Sequence, residues 1–344
     1  MSGSNAVPGC TGVDRVPRGQ VVDTTGFDIS HSLPQQEGEF VVLMYHRVAK
    51  SEMPDFLPSA LNCPASRFRE HLAVFKRYCS ILPLEEAWNL VRGGRRLPPR
   101  TVVLTFDDCW YDNVETVVHP LADAAIPATF FVSAGDIDRE ELHPNHRFYY
   151  LVSRTDREQL TRHLEATFPS FSMVPPAQAI QLRRWLESAL GFELASQSGR
   201  VFLDTLEQGL GVPSSGSLGK TLYMTSDQVR SFPRFGIQVG NHTVNHRQLT
   251  ALDEGGQRVE LAEAQRILSV LTGKPVTTLA YPYGRPEDFN EASVKIATEL
   301  GHRCACTVIP GYNDGDTDPM RLRRIDVTRL SGQELGFRLL GAAP

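Results

Sequence analysis

Short apolar runs, rich in β-branched residues, alternate along this chain with stretches of helical period. About seven such runs occur, at residues 40–45, 101–106, 128–133, 236–240, 277–281, 304–309 and 322–327. Between the first two, Phe68, Leu72 and Phe75 follow helical spacing. Continuous apolar runs are typical of parallel strands that are covered on both faces. The pattern therefore predicts a βα repeat around one parallel sheet of about seven strands.

This repeat predicts an α/β fold, a distorted barrel of the (β/α)7 type with parallel strands; a doubly wound open sheet is the alternative. The repeat stops between about residues 136 and 220, where Leu182, Leu186 and Leu190 share one helical face. We expect a helical insertion there, lying over one end of the barrel. Residues 1–38 lack apolar periodicity and predict an N-terminal tail, which leaves residues 39–344 as one barrel domain.

The charge balance excludes several classes of partner. The 35 Lys and Arg residues and 40 Asp and Glu residues give a formal net charge of −5, which offers no electrostatic footprint for nucleic acid. The six cysteines lack the spacing of a zinc knuckle, so we expect reduced thiols. The sequence contains neither a run long enough for a transmembrane segment nor a signal peptide, and we expect a cytoplasmic protein of undetermined oligomeric state.

Two acids, Asp107 and Asp108, directly follow the apolar run at residues 101–106. A regular strand sends neighbouring side chains to opposite faces, but the pleat relaxes where the strand ends. Active sites of parallel α/β folds are built at the carboxyl ends of the strands. We therefore predict that both carboxylates turn into a site there. The alternative is that they cap the helix that includes Val114.

Two histidines, His242 and His246, follow the run at residues 236–240. Their spacing of four residues predicts one face of a helical turn, where both imidazoles can meet one ion. One carboxylate with two imidazoles suits Zn²⁺ or a similar divalent ion and leaves a coordination position open. Surface histidines are the alternative, but acids on the same predicted rim favour a metal site.

Two further clusters end predicted strands: His46 in LMYHRV, and YPYG at residues 281–284. In the second, Pro282 fixes the backbone, and Gly284 permits a tight turn that can direct an amide N–H outward. A rim histidine and a plain βα turn are the alternatives. Because four chemically suitable clusters end four strands, we predict an active site at this rim.

The motifs TFDD, HTVNH and YPYG, in this order, resemble those of the polysaccharide deacetylase family, carbohydrate esterases that remove N- or O-acetyl groups. The segment YHRV is similar to the subgroup that includes the poly-N-acetylglucosamine deacetylases, in which the N-terminal strand supplies the catalytic histidine. The resemblance runs from about Tyr45 to Val327, interrupted by the insertion. It implies a metal-dependent hydrolase that removes the N-acetyl group from an amino sugar in an oligosaccharide, polysaccharide precursor or glycoconjugate.

The resemblance also implies a role for individual residues. Asp107 would be the general base, His46 the general acid, and the backbone N–H of Tyr283 the oxyanion donor. The divalent ion, Zn²⁺ first with Co²⁺ or Ni²⁺ as alternatives, would be held by Asp108, His242 and His246. This division agrees with chemistry, because a divalent ion brings the pKa of water towards neutrality and a departing amine needs a proton.

Two positions depart from the family pattern. Cys109 stands where the family has Gly, which indicates a different local turn, a narrower cleft or an additional zinc ligand. Ala280 stands where the family has Arg. We predict that Arg324, with Asp326 as its partner, orients and charge-balances Asp107 instead. A solvent-facing arginine on the strand is the alternative.

Aromatic residues near these motifs predict contacts with a sugar, because an aromatic ring packs against the apolar face of a sugar ring. The predicted substrate-binding residues are Trp110, Tyr111, Tyr281 and Tyr312. Alternatively, Trp110 and Tyr111 pack the insertion. Two other functions stay open: a related C–N hydrolase acting on a non-sugar amide or formamide, and a catalytically inactive carbohydrate-binding member.

Overall fold

The structure, a computed structural model, describes residues 38–50, 56–167 and 178–340. The strands in these ranges are β1 (Val41–Tyr45), β2 (Arg47–Ala49), β3 (Asn62–Pro64), β4 (Ser80–Ile81), β5 (Thr101–Asp107), β6 (Ala128–Val132), β7 (Ile237–Asn241), β8 (Thr278–Ala280), β9 (Cys304–Cys306) and β10 (Ile325–Asp326). The α-helices are α1 (Ala65–Tyr78), α2 (Leu84–Arg92), α3 (His119–Asp123), α4 (Pro144–Ser153), α5 (Arg157–Thr167), α6 (Ala179–Leu190), α7 (Gln197–Leu210), α8 (Gly219–Leu222), α9 (Ser226–Ser231), α10 (Glu254–Thr272), α11 (Glu291–Glu299) and α12 (Gly332–Leu340).

A parallel sheet of eight strands forms the centre, in the order β10-β1-β5-β6-β7-β8-β9, with the short β4 paired to β5. Its two ends approach each other, because the Thr307 N–H donates to the Leu322 carbonyl (2.8 Å) and the Leu322 N–H to Ala305 (2.9 Å). The predicted distorted barrel of parallel strands is confirmed, and each of the seven predicted runs overlaps one of its strands. The sequence pattern missed the short β4, and it also missed β2 and β3, which pair in parallel as a separate two-stranded sheet.

The two faces of β5 show how the sequence positions the site. Val102, Leu104 and Phe106 pack outward in the main core between the sheet and the helices. Val103 points the other way, into a core that it shares with residues of the other strands. Because side chains alternate along a strand, Asp107 ends the inner face of β5 at the mouth of the barrel.

Helix α2 covers the amino ends of the strands. Its residues Leu84, Ala87, Trp88 and Val91 belong to the inner core. Glu85 on the same helix accepts hydrogen bonds from Thr277 and Arg303, which immediately precede β8 and β9. The amino end of the barrel is therefore closed, which leaves the carboxyl ends of the strands for binding.

Helices α4 to α7 and the start of α8 lie within the predicted insertion, and this segment extends over the carboxyl ends of the strands. The Asn145 side chain donates to the Tyr283 hydroxyl (2.9 Å), and Arg247 donates to Glu193 (2.8 Å). Tyr283 follows β8 and Arg247 follows β7. Residues 168–177 of the insertion, and the predicted tail apart from Gly38, lie outside the described residues.

In the described part of the chain, none of the helices is both long enough and apolar enough to cross a membrane. The cysteines in this part are free thiols, as expected, namely Cys63, Cys79, Cys109, Cys304 and Cys306. Cys10 lies outside the described residues.

The interior of the barrel at β7 accepts no side chain larger than hydrogen. A Cβ atom at Gly240 would lie 2.4 Å from the Phe131 ring and 2.7 Å from the Thr278 hydroxyl. Gly240→Ala should therefore lower the free energy of unfolding by about 1–3 kcal/mol, the usual cost of overpacking, in urea titrations followed by circular dichroism.

The matched control is Gly255→Ala on the exposed face of α10, where the new Cβ would lie 3.5 Å from Asp253 Oδ1, an ordinary contact distance. This change should leave stability the same or raise it by up to about 1 kcal/mol, since alanine favours helix. Equal stability of the two variants would contradict the packing argument.

Candidate active site

The four predicted clusters open into one cavity of about 210 Å³ at the carboxyl ends of the strands. From the barrel it is lined by His46, Asp107, Asp108, His242, His246 and Tyr283, among others. From the insertion it is lined by Asp136, His143, Asn145, His146, Tyr149 and Arg183, among others. The barrel and the insertion therefore enclose the site together.

Asp108, His242 and His246 form a donor set for one cation, with ligand atoms that all lie within 4.8 Å of one another. Asp108 Oδ1 is 3.7 Å from His242 Nε2 and 3.5 Å from His246 Nε2. His242 Nδ1 lies 2.7 Å from the Ala280 carbonyl, which fixes the proton on Nδ1 and leaves Nε2 as an electron-pair donor. Burial, together with the nearby His242, keeps the pKa of His246 well below its usual value. Its neutral imidazole fits a metal ligand.

The segment between the two histidines is a loop, so the predicted helical turn is wrong. Thr243 and His246 adopt left-handed φ values of 64° and 49°, and the two imidazole centroids lie 4.8 Å apart. Glu260 on α10 accepts hydrogen bonds from the Val244 and Asn245 amides (3.0 and 2.8 Å). This carboxylate accepts hydrogen bonds from two backbone N–H groups, and so it stabilises the loop. The first N–H groups of a helical turn would also have lacked a partner within the helix.

Asp107 forms a buried bidentate ion pair with Arg324. Nη1 and Nη2 each donate to one carboxylate oxygen at 2.7 Å, and Nε donates to the Thr307 carbonyl at 2.7 Å. Burial would raise the pKa of Asp107, but the charge of Arg324, followed by that of His242, outweighs it and holds the pKa below its usual value. Arg324 does not face solvent. Asp326, the partner predicted for it, instead accepts a hydrogen bond from the Thr328 amide (2.8 Å).

His46 and Tyr283 face the same cavity. His46 Nδ1 is buried and has no hydrogen-bond partner in the part of the chain that the structure describes. Burial raises the pKa of Asp108, and the charge of His46 is the strongest opposing influence. Tyr283 has a φ of 60°, and within the described ranges its backbone N–H donates no hydrogen bond.

The insertion contributes titratable residues that sequence reasoning missed. Burial raises the pKa of Asp136 to about 6, although Arg139 opposes it from 3.2 Å. Burial also lowers the pKa of His143 to about 4, and His143 Nε2 lies 3.1 Å from the Asn245 carbonyl. The polar run HPNH at residues 143–146 was the available signal. Its place in the site depends on how the insertion folds back over the barrel.

The predicted role of Trp110 as a sugar-stacking ring is wrong. Trp110 is fully buried, its ring centroid lies 4.9 Å from that of His146, and its indole N–H donates to Asp108 Oδ2 at 3.0 Å. No face of the ring is free for a sugar, because the insertion packs on it, as the alternative reading held. Trp110 instead orients the carboxylate of the candidate metal ligand.

The other three aromatic residues that were predicted to contact a sugar lie in different places relative to the cavity. Tyr281 lines the cavity, but its ring stacks on Phe289 with a centroid distance of 4.0 Å. Tyr111 is partly exposed, and neither it nor Tyr312 is among the residues that line the cavity. Cys109 is buried outside the cation donor set, and burial raises the pKa of its thiol well above the usual value, so the alternative of an additional ligand has no support.

The indole hydrogen bond to Asp108 leads to a testable expectation. Trp110→Phe removes the donor but keeps an aromatic ring, and it should weaken Zn²⁺ binding about ten- to hundredfold, as is typical when a partner of a metal ligand is lost. Competition titration with a chromogenic chelator measures this. Tyr111→Phe serves as the control and should leave affinity unchanged. Equal Zn²⁺ affinities of the two variants would show that Trp110 does not support the metal site.

Comparison with known proteins agrees with this architecture. The sequence profile of the polysaccharide deacetylase family matches residues 94–170 and 203–305, just over half of the chain. The YxkH protein of Bacillus subtilis (strain 168) is 28% identical over 121 residues, which span 35% of this chain and 42% of that relative.

Two solved structures share the fold over most of the chain. The deacetylase PplD of Streptococcus pyogenes, in complex with acetate, has a TM-score of 0.56 at 17% identity, covering 87% of this chain and 97% of that one. IcaB of Ammonifex degensii has a TM-score of 0.53 at 19% identity, covering 89% and 98%. On the strength of the profile match, this chain belongs to the polysaccharide deacetylase family.

Proposed function

We propose that this protein is a metal-dependent hydrolase that removes the N-acetyl group from an amino sugar in an oligosaccharide, polysaccharide precursor or glycoconjugate. The observation that carries the proposal is one cavity that holds a cation donor set, the Arg324-paired carboxylate of Asp107, and His46. Family membership supports deacetylation of a carbohydrate. The acetate in the PplD structure supports hydrolysis of an acetyl group.

Asp108, His242 and His246 would hold the ion. One carboxylate and two neutral imidazoles suit Zn²⁺, with Co²⁺ and Ni²⁺ as alternatives. When bound, a divalent ion polarises a carbonyl oxygen and lowers the pKa of water. The remaining steps belong to residues of this chain.

Asp107 accepts the proton of the attacking water. Its low pKa keeps it ionised at neutral pH, and both of its oxygens are held by Arg324, so the carboxylate cannot rotate away from the cavity. The water oxygen then bonds to the acetyl carbon. Positioned proton transfer of this kind typically contributes about 10²–10⁴-fold to the rate.

The oxygen that gains negative charge needs a donor, and the leaving nitrogen needs a proton. The N–H of Tyr283, which donates no hydrogen bond to the described residues, supplies the first, and one such donor typically contributes about 3 kcal/mol to transition-state stabilisation. His46 supplies the second, because an amine cannot leave as its anion. The C–N bond breaks, and acetate and a free amino sugar are released.

Asp107→Asn tests the proposed base. The amide cannot accept the proton, so acetate release from N-acetylglucosamine oligomers should fall about 10²–10⁴-fold, while Zn²⁺ affinity stays within a few-fold. Mass spectrometry follows the reaction in metal-stripped protein and after Zn²⁺, Co²⁺ or Ni²⁺ is restored. Full activity of the variant would refute the mechanism.

The same screen distinguishes the proposed function from the two alternative functions. Turnover of formyl or cyclic amides without acetate release indicates the related C–N hydrolase. Metal and saccharide binding without any turnover by the wild-type protein indicates an inactive carbohydrate-binding member.

The ion pair predicts the pH dependence of the reaction. Arg324 holds the pKa of Asp107 down against burial, so in Arg324→Gln the pKa should rise, and the acid limb of kcat/KM should move to higher pH by about 1–3 units. Arg324→Lys keeps the charge and should move the acid limb less than Arg324→Gln does. The exposed neighbour Arg323→Gln is the control, and circular dichroism at each pH verifies folding. An unmoved acid limb in Arg324→Gln would mean that Asp107 does not set the profile.

A further inference from the structure

Three arginines line one side of the cavity, where α6 of the insertion meets the turn after β8. Arg183 and Arg184 lie on α6, and Arg285 follows the turn that contains Tyr283. The guanidinium carbons of Arg183 and Arg184 lie 4.8 and 5.9 Å from the centre of the Tyr283 ring. The cations therefore lie beside the residue whose backbone N–H is the proposed oxyanion donor.

The three arginines differ in how their charge is compensated. Arg183 is buried and pairs with Glu187 at 2.6 Å. Arg285 approaches Glu287 only to 3.8 Å, and both side chains are largely exposed. Arg184 is half-buried and forms no hydrogen bond or ion pair with any residue in the described ranges. Partial burial of a cation without a hydrogen-bonded counter-charge carries a desolvation cost.

The surroundings of Arg184 increase this cost. Burial lowers the pKa of Arg184, and the charges of Arg285 and Arg183 lower it further; Asp288 opposes them. Asp288 is itself engaged, because it accepts a hydrogen bond from the Arg285 amide at 2.9 Å. The guanidinium of Arg184 thus retains its donors for a group that comes from outside the chain.

We propose that Arg184 and Arg285, backed by Arg183, form a subsite for a negatively charged group of the substrate, a phosphate or a carboxylate. Guanidinium groups present paired N–H donors that match the oxygens of both groups. The inference rests on the proposed function and specifies its substrate class. The acetylated amino sugar carries an anionic group, or is joined to a unit that does, next to the acetyl group to be removed.

The test compares three substrates in the zinc-loaded protein. They are neutral N-acetylglucosamine oligomers, N-acetylglucosamine 1-phosphate, and N-acetylmuramic acid, which carries a carboxylate. Arg184→Gln should lower kcat/KM about ten- to hundredfold for a substrate with the recognised anion, mainly through KM, because hydrogen bonds to a charged group are lost. Neutral oligomers should change by no more than about twofold.

The matched control is Arg200→Gln, which removes an exposed arginine from the same insertion outside the cavity lining. It should leave all three substrates unchanged. Loss with the phosphate substrate alone identifies a phosphate subsite, and loss with N-acetylmuramic acid alone identifies a carboxylate subsite. Equal losses for neutral and anionic substrates in Arg184→Gln, or no loss for either, overturn the inference.

Binding without turnover separates this inference from the proposed function. Asp107→Asn protein loaded with zinc is titrated calorimetrically with N-acetylglucosamine 1-phosphate and N-acetylmuramic acid, with and without Arg184→Gln. If no acetylated sugar is ever turned over by the wild-type protein but anion binding still depends on Arg184, the proposed function fails and the subsite stands. If acetate is released but anion affinity is the same with and without Arg184→Gln, only the proposed subsite is refuted and the proposed function is kept.

Discussion

The buried ion pair between Arg324 and Asp107 is the constraint around which this site is organised. It joins the end of β5 to the segment before β10, and Arg324 Nε also binds the Thr307 carbonyl beyond β9. Two charges removed from water are tolerated only when each satisfies the other, and loss of one partner leaves a costly unpaired charge. The pair therefore holds together the strands at the mouth of the barrel. It also keeps the carboxylate ionised and fixed beside the cation donor set.

Around this pair, the backbone adopts conformations that need support from elsewhere. Asp108, His246 and Tyr283 all have left-handed φ values, which cost energy in residues with a Cβ. Each is supported by neighbouring groups. The Trp110 indole binds the Asp108 carboxylate, Glu260 holds the loop before His246, and Asn145 of the insertion binds the Tyr283 hydroxyl. Chemical groups at the strand ends are thus positioned by contacts distributed over the barrel and the insertion.

Sequence reasoning succeeded where a residue's position follows from its strand. The apolar runs located the strands, and the end of the run at residues 101–106 placed Asp107 and Asp108 at the carboxyl rim. It also identified Arg324, because a missing arginine at Ala280 required another cation for a buried acid. It failed for Trp110, because the sequence beside a site does not show whether an aromatic ring faces a sugar or the protein core. It failed again for the turn at His242 and His246, where spacing alone cannot distinguish a helical turn from a left-handed loop.

The sequence by itself determined the parallel strands and the rim at which polar side chains gather, because these follow from local periodicity and from strand ends. It also supplied the candidate residues for cation binding and proton transfer. Only the tertiary structure decided what surrounds them. The insertion lies far along the chain from most of the rim residues, so its placement of Asp136, His143 and the arginines of α6 in the cavity depends on packing between distant segments. Periodicity encodes the elements. The approach of α6 to Tyr283, which sets the charge of the cavity wall, arises only when those elements pack.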